Sequence, residues 1–174
     1  MPTSDPEHKA WALDRIRELQ PKMVVDVGPG VGTYSDLARE HTPGATWKCI
    51  EAWAPYIPQF GLWQKYDHVI VGDIRHVDLH SVTFAPDLVI VGDVLEHMAK
   101  AEARSVLRLL QAWADNVLVS VPLAHHDQGD VNGNWFEIHR DHWTHNEMLD
   151  VLGTGVRAHK RGKILGYYLW SVTA

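Results

Sequence analysis

The chain has 174 residues, of which 45% are apolar and 22% are charged. This length and composition predict one globular domain spanning residues 1–174 and exclude a disordered or membrane-spanning chain. The 16 basic and 22 acidic residues give a net charge of −6, which argues against a nucleic-acid partner bound mainly through its phosphates.

The cysteine content and the lack of an apolar targeting segment predict the type of compartment in which the protein works. Cys49 is the only cysteine, so the chain can form neither an intramolecular disulfide nor a cysteine-based zinc cluster. The first nine residues lack the apolar core of a signal peptide, and the densest apolar run, Leu88–Val91, is far too short to cross a bilayer. These features predict a reduced, cytoplasmic protein with no membrane partner.

The apolar pattern predicts alternating helices and strands. An amphipathic helix over Asp5–Gln20, with Asp5 as its N-cap, comes first and ends before Pro21. Short apolar runs bounded by glycine or proline then predict buried strands, with helices between them. The predicted strands are Met23–Val27, Ala45–Glu51, His68–Gly72, Asp87–Gly92 and Asn116–Val121, and the predicted helices are Thr33–His41, Tyr56–Gln64, Ala99–Ala114 and Thr144–Leu152.

The C-terminal third departs from this alternation. Leu123–Asp141 has no regular pattern, and a loop of nearly twenty residues inside a compact domain is usually functional. Val156–His159 and Leu165–Val172 predict a hairpin, whose strands must be antiparallel. The fold class is therefore α/β: a Rossmann-like, doubly wound, mostly parallel seven-stranded sheet with an antiparallel C-terminal hairpin at its edge. We expect the loop and the N-terminal helix to cover the site.

Three glycines follow the first predicted strand in the pattern G-x-G-x-G. They are Gly28, Gly30 and Gly32, and Asp26 precedes them. In an open parallel sheet, ligands bind at the carboxyl ends of the strands, where glycines admit a ligand to the backbone and a helix N-terminus offers free N–H groups. A dinucleotide fingerprint would need glycine at position 33, where this chain has Thr33. Together with the lack of any Tyr-x-x-x-Lys pair, this argues against an NAD or nucleotide-sugar enzyme.

These residues resemble the first motif of the class I S-adenosylmethionine-dependent methyltransferases, and the resemblance extends from about Met23 to Leu152. It implies S-adenosylmethionine as the cofactor and a role for the strand ends in binding it. Glu51, 19 residues after Gly32, would take the ribose hydroxyls, and Asp73 and Ile74 would contact the adenine amine and ring. The cofactor-binding residues that the resemblance implies are Asp26, Gly28, Gly30, Gly32, Glu51, Asp73 and Ile74.

A second motif, Asp93-x-x-Glu96-His97, follows the fourth predicted strand. If a helical turn begins there, the three side chains share one face, and His139 could complete a site with them. The motif resembles two methyltransferase branches, the ubiquinone-pathway O-methyltransferases and the small-RNA 2′-O-methyltransferases. There, a Glu-x-x-Glu-His motif and a later histidine hold a divalent ion that grips the substrate oxygen.

The second resemblance implies a divalent metal bound by Asp93, Glu96, His97 and His139. It also implies that His97 and His139 position or deprotonate the substrate. Asp93 stands where the family has glutamate and is one methylene shorter, which puts that ligand in doubt. The alternative is a metal-free site in which His97 is a base or a packed polar residue.

A metal-type motif of this kind suits a diol or catechol, so we expect methylation of a hydroxyl group on a small-molecule or glycan-like acceptor. The alternative from another class is a non-catalytic S-adenosylmethionine-binding subunit that regulates a protein partner. A contiguous, exposed surface of Trp53, Trp63 and Trp135 would favour that alternative.

Histidine is concentrated in the same region. Five of the 12 histidines lie between His125 and His145. Asp127 and Asp130, with His125 and His126, could form a second site, and a solvated loop is the alternative.

Overall fold

A computed structural model describes residues 4–172. Its seven strands form one sheet in the order β3-β2-β1-β4-β5-β7-β6. The first five strands run parallel, and β7 is antiparallel to both of its neighbours. The strands are β1 (Met23–Val27), β2 (Thr46–Glu51), β3 (His68–Val71), β4 (Leu88–Gly92), β5 (Asn116–Pro122), β6 (Val156–Arg161) and β7 (Leu165–Ser171). The predicted fold class is confirmed.

Helices cover both faces of the sheet. They are α1 (Lys9–Leu19), α2 (Thr33–Ala38), α3 (Tyr56–Gln59), α4 (Leu62–Lys65), α5 (Leu79–Val82), α6 (Lys100–Trp113) and α7 (His145–Leu152). Side chains of β1 alternate between two cores: Val24 packs with α1 to α4, whereas Val25 and Val27 pack with α5 to α7. Because a parallel sheet is buried on both faces, its central strands need continuous apolar runs.

The N-terminal helix is shorter than the sequence predicts. It begins at Lys9, so the prediction that Asp5 is its N-cap was wrong. His8 occupies the N-cap position in the left-handed conformation (φ +59°). The Asp5 carboxylate instead accepts a hydrogen bond from the backbone N–H of Glu7 at 2.8 Å.

A tertiary contact accounts for this late start. The Glu7 carboxylate accepts hydrogen bonds from three successive backbone N–H groups of the β6–β7 turn, at 2.9, 2.8 and 2.7 Å. The donors are Lys163, Ile164 and Leu165. Glu7 is therefore fixed to the hairpin two residues before the chain enters α1.

The remaining differences are local. The predicted helix Tyr56–Gln64 divides into α3 and α4 at Gly61 (φ +63°). The predicted helix Thr33–His41 finishes as a 3₁₀ turn, and α5 was not predicted. The Leu123–Asp141 loop contains one 3₁₀ turn, Trp135–Glu137, and is otherwise irregular apart from a short bridge. Among residues 4–172, no helix has both the length and the apolarity needed to cross a membrane.

Candidate active site

A cavity of about 710 Å³ opens where the parallel strands end. Its wall includes residues from the carboxyl end of each of β1 to β5, and β1 and β4 mark the point where the strand order reverses. Residues 4–6 and the Leu123–Asp141 loop complete the wall. The loop therefore lies in the cavity wall, and the N-terminal part of the wall comes from residues ahead of α1 rather than from the helix.

The glycine loop after β1 forms part of this wall through Gly28 and Gly30. A Cβ atom on Gly28 would lie 2.7 Å from Cγ2 of Val94, and its φ of +63° is in the left-handed region. Position 28 therefore excludes any side chain and leaves the backbone accessible to a ligand. Gly32 lies outside the wall, beneath the side chain of Lys65, and is the N-cap of α2.

Glu51 at the end of β2 is a buried acid in the cavity wall. One carboxylate oxygen accepts a hydrogen bond from the backbone N–H of Trp53 at 2.7 Å. Burial raises the pKa of Glu51 to about 7, and nearby Glu137 adds to the shift. The carboxylate faces the cavity, where it can accept hydrogen bonds from hydroxyl groups.

Asp73 and Ile74, after β3, also line the cavity. The Arg75 guanidinium donates to both Asp73 oxygens, with Nε 3.0 Å from each and Nη2 2.6 Å from Oδ2. Burial opposes ionisation of Asp73, but the hydrogen bonds and charge of Arg75 outweigh it and hold the pKa of Asp73 below its ordinary value. Arg75 was not singled out from the sequence, although its place two residues after a strand-end acid is a usable signal.

Asp26, in contrast, does not reach the cavity wall. Its side chain is fully buried, and the Tyr66 hydroxyl donates a hydrogen bond to it at 2.6 Å. Burial raises the pKa of Asp26 to about 7, although the hydrogen bond from Tyr66 and the charge of Lys9 oppose the shift. The structure thus places Asp26 beneath the glycine loop.

Three of the four predicted metal ligands come together. Glu96, His97 and His139 each offer a donor atom, and the three atoms lie within 4.8 Å of one another. The two imidazole rings are 5.0 Å apart. Residues 95–97 form a 3₁₀ turn rather than the first turn of an α-helix, so the spacing expected from α-helical geometry does not hold.

Asp93 lies in the cavity wall but outside this cluster. Its backbone has a φ of +56°, and its carboxylate accepts a hydrogen bond from Ser120 of β5 at 2.8 Å. Because that bond uses the only proton of Ser120, Tyr34 must donate to Ser120 Oγ across 3.1 Å. Tyr34 and Ser120 were missed in the sequence because their connection to Asp93 crosses the sheet.

Backbone carbonyls orient both histidines of the cluster. Nδ1 of His139 is 2.6 Å from the carbonyl oxygen of His126, and Nδ1 of His97 is 3.4 Å from that of Ile138. A carbonyl oxygen can only accept a hydrogen bond, so Nδ1 carries the proton in each ring. The lone pair of Nε2 is then available to bind a metal ion or to accept a hydrogen bond. The Glu96 carbonyl accepts from the Arg140 backbone at 2.7 Å and links the two halves of the cluster.

The pKa shifts of the three cluster residues all favour their neutral forms. Burial lowers the pKa of His97 to about 4, with a further contribution from His139, and burial also lowers the pKa of His139. Burial and the neighbouring charge of Asp93 raise the pKa of Glu96 well above its ordinary value. Oε2 of Glu96 is buried without a hydrogen-bond partner among the described residues. An unpartnered carboxylate oxygen beside two imidazole nitrogens fits a divalent cation such as Mn²⁺, Fe²⁺ or Zn²⁺.

Two of the three tryptophans that could mark a partner surface pack against each other. Trp53 is half-buried, and its ring packs edge to face against Trp135 at 4.9 Å. Trp63 is 62% exposed, and no ring pairing joins it to either of them in the described part of the chain.

No protein-family model matches this chain, and no curated protein matches its sequence. Solved structures do share its fold. The N-terminal domain of EvdMO1 with SAH bound is 11% identical with a TM-score of 0.68, and the match covers 98% of this chain and 82% of that one. The methyltransferase domain of bacterial CtHen1-C is 17% identical with a TM-score of 0.68, covering 95% of this chain and 96% of that one.

An O-methyltransferase family protein from Burkholderia thailandensis is similar over a smaller share of its length. It is 15% identical with a TM-score of 0.64, and the match covers 93% of this chain but 55% of that one. This chain thus spans about half of the larger protein. The three likenesses show that the chain has the class I methyltransferase fold.

Proposed function

We propose that this protein is an S-adenosylmethionine-dependent methyltransferase that methylates a hydroxyl group on a small-molecule or glycan-like acceptor. One observation carries the proposal: a single cavity wall contains the glycine loop, the strand-end acids Glu51 and Asp73, and the cluster of Glu96, His97 and His139. A volume of about 710 Å³ falls within the range of small-molecule sites, roughly 300–1,000 Å³. The SAH bound to the similar EvdMO1 domain supports the choice of cofactor.

The strand ends account for cofactor binding. Gly28 and Gly30 let the backbone approach a ligand closely, and the Glu51 carboxylate would accept hydrogen bonds from ribose hydroxyls. Ile74 offers an apolar surface to the adenine ring, and Asp73, held by Arg75, keeps lone pairs for the adenine amine. When bound, S-adenosylmethionine supplies a methyl group that its sulfonium makes electrophilic.

The cluster of Glu96, His97 and His139 would bind the acceptor and take its proton. With Nδ1 bonded to a carbonyl, His97 and His139 each present Nε2, which can hold an acceptor hydroxyl or take its proton. Glu96, His97 and His139 would also hold a divalent ion, which would supply Lewis acidity toward a substrate oxygen. The Leu123–Asp141 loop lines the same cavity, where it would help to align the acceptor oxygen before reaction.

The first experiment tests the cofactor. Calorimetric titration with S-adenosylhomocysteine should show one binding event in EDTA and in Mn²⁺. Glu51→Gln should weaken that binding at least tenfold, because the amide puts an N–H donor in place of one acceptor oxygen, whereas Glu40→Gln, at an exposed position, should leave it unchanged. Absence of binding at millimolar ligand would overturn the proposal.

The second experiment tests the chemistry. Catechols, vicinal diols and free sugars would be screened for methyl transfer with metal-free and Mn²⁺-loaded protein. On an accepted substrate, His97→Ala and His139→Ala should each lower kcat by about 10²–10⁴-fold, the usual contribution of general acid–base catalysis. His68→Ala changes an exposed histidine of β3 and serves as the control. Full turnover in both cluster variants would exclude the assigned roles.

A further inference from the structure

We propose that His125, Asp127 and His142 form a second metal site, one that takes a zinc-like divalent ion. The three residues offer donor atoms within 4.8 Å of one another and share no member with the cluster of Glu96, His97 and His139. The sequence pointed to Asp130 and His126 in this region, but neither joins the group. Asp130 instead accepts a hydrogen bond from the Gly133 backbone at 2.9 Å and closes a turn.

The donor distances fit tetrahedral coordination. Oδ1 of Asp127 lies 3.3 Å from Nε2 of His125 and 3.8 Å from Nε2 of His142. Zinc binds imidazole nitrogen and carboxylate oxygen at about 2.0–2.2 Å, so two ligands of a tetrahedral ion lie roughly 3.3–3.5 Å apart. Of the two edges that meet at Asp127, the one to His125 already has this length and the one to His142 needs a shift of a few tenths of an ångström. An octahedral ion with the same bonds would need edges of roughly 3 Å, shorter than either distance.

The imidazole rings of His125 and His142 lie next to each other and are open to solvent. The imidazoles of His125 and His142 are 3.7 Å apart between centroids, with an interplanar angle of 42°. Solvent can supply the fourth ligand of a bound ion because the side chains of His125, Asp127 and His142 are 66%, 90% and 39% exposed.

The site has a structural consequence for the covering loop. His125 follows β5 and His142 precedes α7, so a bound ion would join the two ends of that loop. The ligands His125 and Asp127 flank His126, whose carbonyl orients the ring of His139. The neighbouring Gln128 carbonyl accepts a hydrogen bond from the backbone N–H of His139 at 3.0 Å. Metal binding therefore fixes the segment that positions His139. This inference does not depend on methyl transfer.

The test measures how many metal ions the protein binds and distinguishes the two candidate metal sites. Metal-free full-length protein would be titrated with Co²⁺, whose tetrahedral complexes absorb visible light far more strongly than octahedral ones, and then with Zn²⁺ by calorimetry. The wild type and the His68→Ala control should bind a tetrahedral ion. That binding should persist in Glu96→Gln/His97→Ala and weaken at least tenfold in His142→Ala and in Asp127→Asn. Circular dichroism would confirm that each variant is folded.

A second readout concerns the loop itself. Zn²⁺ should slow proteolysis between residues 123 and 141 in the wild type and in Glu96→Gln/His97→Ala, but not in His142→Ala. If His142→Ala binds as many ions as the wild type with the same affinity, the site does not exist. Loss of all tetrahedral binding in Glu96→Gln/His97→Ala would likewise overturn the proposal. Titration with S-adenosylhomocysteine separates this failure from failure of the proposed function.

Discussion

Replacing the buried Asp26 with asparagine should reduce the loss of stability that the wild-type protein undergoes as the pH rises. Folding raises the pKa of this carboxyl from 3.8 to about 7, because burial disfavours the charged form. The folded state therefore holds the proton more tightly than the unfolded state, and stability falls as pH rises from about 4 to about 7. Between about pH 5 and about pH 8 the carboxyl removes roughly 2–3 kcal/mol from the free energy of unfolding.

Asp26→Asn removes the titration but keeps the shape of the side chain and an oxygen that can accept from Tyr66. Urea unfolding at several pH values would measure the effect, with the m-value checked for two-state behaviour. The drop between about pH 5 and about pH 8 should be smaller by roughly 2–3 kcal/mol than in the wild type. Asp14→Asn, at an exposed position on α1, should retain the wild-type drop. Equal pH dependence in Asp26→Asn and the wild type would refute this reasoning.

Two further predictions concern the cavity wall. Gly44→Ala should cost about 1–2 kcal/mol of stability for a left-handed alanine, and Gly28→Ala should cost more, because its Cβ would also lie 2.7 Å from Cγ2 of Val94. Only Gly28→Ala should also abolish S-adenosylhomocysteine binding in calorimetry, because nothing lies within 4 Å of a Cβ on Gly44; equal binding by both variants would contradict the close packing of the glycine loop. Glu7→Gln should leave the fold intact but increase amide hydrogen exchange in the β6–β7 turn, since the amide keeps one acceptor oxygen in place of two. Glu40→Gln should not, and unchanged exchange in both would show that Glu7 does not hold the turn.

The local patterns in the sequence were sufficient to predict the fold. Apolar runs of four to seven residues separated by amphipathic stretches have one stable arrangement, a parallel sheet covered on both faces. The same reasoning predicted that the glycines after β1 and the acids at or just after the ends of β2, β3 and β4 lie close together. Parallel strands place their carboxyl ends at one edge of the sheet. These features depend on residues close to one another in the chain, so the pattern reveals them.

The errors have a common origin in contacts between distant residues. Asp5 has every local property of an N-cap, yet the bonds from Glu7 to the β6–β7 turn hold the chain out of helix until Lys9. Asp93 has the spacing of a metal ligand, yet a positive φ and the hydroxyl of Ser120 direct its carboxylate elsewhere.

The amino-acid sequence by itself determined the alternation of strands and helices, the position of the cavity at the strand ends and the residues at its rim, because periodicity and turn chemistry act over a few residues. Tertiary structure alone decided which side chains meet. It left Asp26 under the glycine loop, reduced the predicted metal ligands to Glu96, His97 and His139, and brought His142 to Asp127. Those outcomes depend on backbone direction and on partners far away in the chain, which no local pattern records.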